Sequence, residues 1–410
     1  MGERSTAHGP SPGRVARDRS GGMMAYARSG PIPEGTLPTI RHQGKPKTSS
    51  KAERLKSRHR HPPGAGEGSR GNGTMTKVTH GSAIVLALPP RLASIAEDQR
   101  AIPKIAKDPA LLRLVEEAIH QVPTRHDLFV GDARRMESIA DRSVHLIVTS
   151  PPYWTLKDYR DSPGQMGHIN EYESFLEELD KVWRHCYRVL VPGGRVVCVV
   201  GDVCLSRREN AGRHTVVPLH ASIQEHCRRI GFDNLAPIIW YKIANAVYEV
   251  ERGGGGFLGK PYEPNGVIKN DIEFILMERK PGGYRTPDFA ARLLSTIGGE
   301  NHQLWFQQIW NGVTGASTRN HPAPFPIELA SRLVRMFSFV GDTVLDPFMG
   351  TGTTSVAAAS WGRNSIGIEV DPQYFELAAK RIRAETRPLF ERSTTIIIHP
   401  TREAVADGGS

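Results

Sequence analysis

The sequence predicts an α/β protein built on a mostly parallel sheet flanked by helices. Three observations carry this. From about residue 126 onward, apolar runs of strand length alternate with stretches of helical period. A glycine-rich loop, Gly350-Thr351-Gly352, sits between one such run and a helix. The next run closes on an acid, Glu369, 23 residues after Asp346, which is the spacing of adjacent strands joined through one helix.

Each element follows in order. Residues 1–74 are rich in Gly, Pro, Ser, Arg and His without a period. Such a composition buries too little apolar surface to offset chain entropy, so the segment is predicted disordered. Met75-Thr76-Lys77-Val78 reads as a more ordinary N-terminus and opens a helical lead-in over 75–125. Within it Ile105, Leu111, Leu112, Leu114, Val115 and Ile119 predict a packing helix over about 100–122. Residues 127–130 form a short buried strand ending at Gly131-Asp132, and 144–149 a second that delivers Ser150 at its carboxyl end. Phe175, Leu176, Leu179, Val182, Trp183, Cys186 and Leu190 share one face of a helix over 171–190. Pro192-Gly193-Gly194 stops that helix. The strand 195–200 follows, and the alternation continues through 237–240 and 272–277.

Two stretches, 243–270 and 279–318, read as irregular; the first contains Gly253-Gly254-Gly255-Gly256. They are either ordinary long loops or an inserted binding region. A helix over 326–339, a strand over 343–345, the glycine loop, a small-residue helix over 355–361 and a strand over 365–370 complete the alternation. Tyr374, Phe375, Ala378 and Ile382 mark a last helix, and 391–410 is a peripheral tail.

Charge is unevenly spread. Residues 1–80 hold 15 Lys and Arg against 5 Asp and Glu, so the whole excess of +10 lies there and the remainder is neutral. A nucleic-acid face on the folded part must therefore be a local patch. The basic segment is a phosphate-binding arm, a solvated tail, or an extension upstream of a start at Met75. The four cysteines, Cys186, Cys198, Cys204 and Cys227, form no CxxC pair, which disfavours zinc and a disulfide framework and fits a reducing cytoplasm. No run approaches the roughly 18 apolar residues of a membrane span.

Two motifs carry chemistry. In Asp346-Pro347-Phe348-Met349-Gly350-Thr351-Gly352-Thr353-Thr354, the glycines let the backbone turn tightly and approach a ligand. Glu369 is suited to accept hydrogen bonds from two ribose hydroxyls. No Lys-Ser or Lys-Thr follows the glycines, which excludes a phosphate loop. No third glycine follows Gly352, which excludes the dinucleotide fingerprint. The other motif, Thr149-Ser150-Pro151-Pro152-Tyr153, comes first along the chain. Alone it would read as a turn with a buried tyrosine.

Together, and in this order, the two motifs resemble those of the circularly permuted, beta-class DNA amino-methyltransferases. His321-Pro322-Ala323-Pro324-Phe325-Pro326 matches the segment that precedes the cofactor loop in that family, and Gly131-Asp132 its strand end near the cofactor adenine. The resemblance covers roughly residues 125–385. It implies a Rossmann-like S-adenosylmethionine-dependent methyltransferase fold, circularly permuted, with a catalytic half (126–242), a candidate target-recognition region (243–318) and a cofactor half (319–390). The implied cofactor is S-adenosylmethionine, held by Asp132, His321, Pro324, Phe325, Asp346, Phe348, Gly350, Gly352, Thr353 and Glu369, with no metal. The implied partner is double-stranded DNA in the cytoplasm, at the nucleoid. A cognate restriction endonuclease and a homodimer are left open.

The chemistry explains the catalytic motif. The lone pair of an exocyclic amine is delocalised into the base, so the nitrogen is a poor nucleophile. Acceptors on its two hydrogens, the Ser150 hydroxyl and the Pro151 carbonyl, would free the lone pair. Pro151 and Pro152 fix the backbone and remove competing donors. Tyr153 is expected to offer a face for stacking on a base flipped out of the duplex. In the family, Ser in first place goes mostly with cytosine N4, and Asp or Asn with adenine N6. Ring-carbon methylation needs a cysteine nucleophile, and the Pro-Cys pair of such enzymes is absent. Two basic clusters, Trp154/Lys157/Tyr159/Arg160 and Arg207/Arg208/Arg213/His214, are either DNA contacts or solvated loops. Trp240, Lys242 and Asn245 are similar to target-pocket positions. The rivals are an adenine-N6 enzyme, a silent nucleic-acid-binding module, and an RNA or protein methyltransferase.

Overall fold

The computed structural model describes residues 88–95, 100–154, 162–205, 207, 210–242, 270–315, 325–386 and 394–399. All of these fall in the second of two compact units, Thr74–Ser410. The segment expected to be disordered (1–74) and the glycine run at 253–256 lie outside the described residues.

The lead-in is three helices, α1 (Pro90–Ile95), α2 (Ala101–Lys107) and α3 (Pro109–Ile119). The single helix expected over 100–122 is thus two. The break is chemical: the Asp108 carboxylate accepts from Ala110 N (2.8 Å) and Leu111 N (3.3 Å), and Pro109 takes the first helical position. An N-cap followed by proline starts a helix.

The main sheet combines β1 (Thr124–Val130), β2 (Val144–Thr149), β3 (Leu190–Val200), β6 (Asp233–Asn234), β7 (Ile238–Tyr241), β8 (Ile272–Arg279), β9 (Ile309–Trp310), β10 (Thr343–Asp346), β11 (Asn364–Glu369) and β12 (Thr394–His399). Its order is β12-β1-β11-β10-β2-β3-β8-β7-β9, with β6 paired to β8. From β12 to β3 every pairing is parallel. β8 then runs antiparallel to both β3 and β7, so the sheet is mixed at this side. A short hairpin, β4 (Val203–Leu205) with β5 (Thr215–Val217), stands apart.

Two expectations are corrected here. Helix α4 (Tyr172–Val189) ends before Pro192-Gly193-Gly194, and β3 runs through those residues. The stop comes from Lys280 instead, whose ammonium donates to the carbonyls of Tyr187 (2.6 Å) and Leu190 (2.8 Å) at the helix end. Gly193 N and Gly194 O exchange bonds with Lys280 (3.0 and 2.9 Å), which fastens the turn-prone triplet into the sheet. The second correction concerns the tail. Residues 394–399 are the edge strand β12, in register with β1 from Thr124 to Phe129.

Further elements are α5 (Leu219–Ile230), α6 (Phe289–Leu294), α7 (Gly299–Trp305), α8 (Ile327–Phe337), α9 (Thr353–Ser360) and α10 (Pro372–Thr386). The stretch 279–318 therefore holds two helices and a strand where irregular chain was expected. The core lies on both sheet faces. Phe175, Leu179, Trp183 and Cys186 of α4 pack on one side with Val196 and Leu345. Leu329, Leu333 and Val334 of α8 and Ala357 of α9 pack on the other with Val148 and Val197. Residues 353–359 of α9 are buried all round, as a helix without an amphipathic face must be.

Candidate functional site

Four adjacent parallel strands, β1, β11, β10 and β2, present their carboxyl ends along one edge of the sheet. Open α/β sheets bind ligands there. The ends carry Gly131-Asp132, Glu369, Asp346-Pro347 and Ser150, so segments distant in sequence meet for a topological reason. One cleft is lined by Gly131, Asp132, Ala133, Ser150, Pro152, Gly164, Gln165, Met166, Pro347, Phe348, Ile368, Glu369, Val370 and Tyr374. Five of the sequence-derived site residues meet in it: Asp132, Ser150, Pro152, Phe348 and Glu369.

Pro347 and Phe348 build one wall, and the glycines that follow, Gly350 and Gly352, stand outside the lining. Gly350 (φ 51°) and Gly352 (φ 80°) occupy left-handed conformations, which favour glycine. Gly350 N donates to Glu369 Oε2 (2.8 Å) and Asp371 N to Glu369 Oε1 (2.9 Å). Both carboxylate oxygens are thereby oriented, and each keeps a lone pair. Burial, only partly offset by these bonds, pushes the Glu369 carboxyl up to about 7. Asp346 lies beneath the loop and not in the cleft. Its Oδ1 accepts from Thr149 Oγ1 (2.7 Å) and Phe348 N (3.1 Å), tying the two motif strands together. Burial raises its carboxyl to about 6. Thr353 also turns away: its buried hydroxyl accepts from Arg381 (3.0 Å) on α10. Phe325 packs against the core under α8, while His321 and Pro324 lie outside the described residues.

At the far end of the cleft Asp132 pairs with Arg134 (2.6 Å), which also binds Glu178. The segment 164–166 was not singled out from sequence. It is held by Ser162 Oγ on Asp371 Oδ2 (2.8 Å), and a Cβ on Gly164 would sit 3.1 Å from Asp132 Oδ2. The only sequence signal was the turn dipeptide Pro163-Gly164. The donor set fits an adenosine-like ligand, with a carboxylate for ribose hydroxyls beside the apolar sides of Phe348, Ile368 and Met166.

Ser150 and Pro152 line the cleft, while Pro151 is buried and outside the lining. Tyr153 departs from expectation. Its side chain is 4% exposed, within the core, and presents no open face for stacking. Its hydroxyl accepts from Ser150 Oγ (3.1 Å) and faces Glu273 Oε2 (3.3 Å) and Val199 O (3.4 Å). Trp240 is likewise buried, donating to Val313 O (2.9 Å) and packing with Trp305 and Trp310, and does not line the cleft. Lys242 pairs with Glu273. Asn245, Lys157, Tyr159, Arg160 and Arg208 lie outside the described residues. Arg207, Arg213 and His214 are exposed beside the β4–β5 hairpin, and Trp154 meets Tyr172 edge-on at 5.0 Å.

A sequence profile of the DNA methylase family matches residues 144–380. The type II methyltransferase M.MjaI of Methanocaldococcus jannaschii is 38% identical over 291 residues, 64% of this chain and 92% of that protein. M.MthZI of Methanothermobacter thermautotrophicus, another type II methyltransferase, is 35% identical over 287 residues, 63% of this chain and 77% of that protein. Among solved structures, a Thermus thermophilus protein assigned as a DNA modification methylase, complexed with S-adenosyl-L-methionine, is 51% identical. The match has a TM-score of 0.54 and covers 67% of this chain and 99% of that one.

Proposed function

The chain belongs to the N6/N4 family of DNA methylases, and from that premise we propose that it methylates the exocyclic N4 amine of cytosine in double-stranded DNA. S-adenosylmethionine is the methyl donor. The observation that carries the reading is the position of Ser150 in the same cleft as Glu369, Asp132 and Phe348. Ser150 and the Pro151 carbonyl act on the amine hydrogens, and Glu369 holds the donor's ribose. Support for cytosine over adenine comes from serine in the first place of the motif, and support for the permuted class from the order of the two motifs. The resemblance also supports His321, Pro324, Phe325, Asp346, Gly350, Gly352 and Thr353 as parts of the cofactor site, several of them as scaffold. The adenine-N6 reading keeps every feature of the cleft and differs only in what Ser150 implies.

The test is direct. Purified protein, labelled S-adenosylmethionine and mixed-sequence duplex DNA are incubated, and the DNA is digested to nucleosides for mass spectrometry. N4-methylcytosine is expected. N6-methyladenine would overturn the target base, and no methylated base would overturn the substrate. Ser150→Ala should leave cofactor binding intact and lower turnover by at least about 100-fold, the loss typical of one preorganised group.

A further inference from the structure

A line of polar groups runs back from the cleft into the protein. Ser150 Oγ donates to the Tyr153 hydroxyl (3.1 Å), and that hydroxyl donates to Glu273 Oε2 (3.3 Å). The other carboxylate oxygen, Oε1, is held by the Lys242 ammonium. Glu273 lies on β8, the antiparallel neighbour of β3 and not one of the strands that end at the cleft. It is buried, at 7% exposure. A buried carboxylate is costly unless paired and hydrogen-bonded, and here Lys242 supplies the counter-charge. Gly201 makes room for the arrangement: a Cβ there would lie 3.3 Å from Glu273 Cγ and 3.5 Å from a Tyr153 ring carbon.

Direction matters in this line. A serine hydroxyl has one hydrogen and two lone pairs. If its hydrogen is committed inward, the lone pairs are left to accept from a substrate. Tyrosine can accept from Ser150 only while its own hydrogen goes elsewhere, and a carboxylate is the strongest acceptor in reach, because charge-assisted bonds are about twice as strong as neutral ones. Both O···O distances exceed the usual ~2.7–2.8 Å, as catalytic hydrogen bonds commonly do before substrate closes the site.

We infer that Glu273 is a positioning residue for methyl transfer: through the Tyr153 hydroxyl it holds the Ser150 hydrogen inward, so that the Ser150 oxygen meets the amine as an acceptor. This deepens the reading of Ser150 given above and rests on it. It also gives buried Tyr153 a role that needs no stacking face.

The test is a double-mutant cycle in single-turnover methyl transfer on duplex DNA. Glu273→Gln keeps shape but removes charge, and Tyr153→Phe keeps the ring but removes the hydroxyl. Each should slow transfer about 10-fold in the wild-type background and less than about 2-fold in a Ser150→Ala background, since groups acting through one another are not additive. Cofactor affinity by calorimetry should stay within about 2-fold in every variant. In the cofactor-free protein the pair should also be coupled in thermal melting, the double variant losing less than the two single losses together. An equal slow-down in both backgrounds would make Glu273 merely structural and overturn the inference, as would wild-type rates in both single variants. If Ser150→Ala itself transferred at the wild-type rate, the reading of Ser150 would fall first and the positioning role with it. Should Glu273→Gln not fold, Tyr153→Phe carries the cycle alone.

Discussion

At Glu369, Gly350 N and Asp371 N orient both carboxylate oxygens while burial lifts the carboxyl to about 7. That environment has a sign. Ribose hydroxyls held as proposed would donate to the carboxylate and favour the ionised form, so cofactor binding would lower the carboxyl's pKa and expel a proton. Affinity for S-adenosylmethionine should therefore rise as pH increases through about 7, and fall off below it. Calorimetry at pH 7 in buffers of different ionisation enthalpy should register net proton release, and Glu369→Gln should abolish both the release and the slope. A flat affinity between pH 6 and 8 would remove Glu369 from the ribose. The place of Glu369 at a strand end is readable in the sequence, whereas that of Tyr153 is not: an aromatic beside two prolines looks the same whether it faces solvent or the core, and here it is buried with its hydroxyl against β3 and β8.

Elements were legible where local chemistry and tertiary packing agree. Helix α4 was readable because its whole apolar face, from Phe175 to Cys186, meets the sheet. Asp108-Pro109 is a local start signal that the hydrophobic period ran across, and Pro192-Gly193-Gly194 a local stop signal that tertiary bonds to Lys280 override. α5 went unread, although Gly231 at φ 117° closes it with a standard left-handed cap. β12 could not be read at all, since an edge strand is defined by its partner. Within β11, Gly367 is a sharper case of packing dictating sequence: a Cβ there would stand 2.2 Å from Met349 Sδ of the glycine loop. Gly367→Ala should push that loop outward, costing about 1–3 kcal/mol by overpacking, lowering the melting midpoint and weakening S-adenosylmethionine binding together. Truncating the opposing side chain in Gly367→Ala/Met349→Ala should restore part of the binding. A single variant with wild-type melting and affinity would mean that the loop yields freely.

For the whole molecule the informative quantity is where the charge lies. The excess of +10 sits in residues 1–80, and the remainder, which holds the sheet and the cleft, is neutral. A neutral body that acts on DNA must rely on local groups, and the exposed Arg207, Arg213 and His214 beside the β4–β5 hairpin are candidates for them. These two sources of attraction can be separated by salt. Each phosphate neutralised adds about 0.9 to the magnitude of the slope of log affinity against log salt. The chain from 74 onward forms its own compact unit, so removing residues 1–74 should leave the melting midpoint unchanged. It should also leave low-salt turnover within about 2-fold and the salt slope within one unit, the change expected from a single phosphate contact. Arg207→Ala with Arg213→Ala should instead reduce the slope by about two, uniformly across DNA sequences, because phosphate contacts carry no base information. Affinity measured from 50 to 200 mM salt with the full chain, the truncated chain and the double variant checks both statements. A slope that collapses on truncation would transfer phosphate binding from the hairpin to the basic segment, making it an arm on DNA.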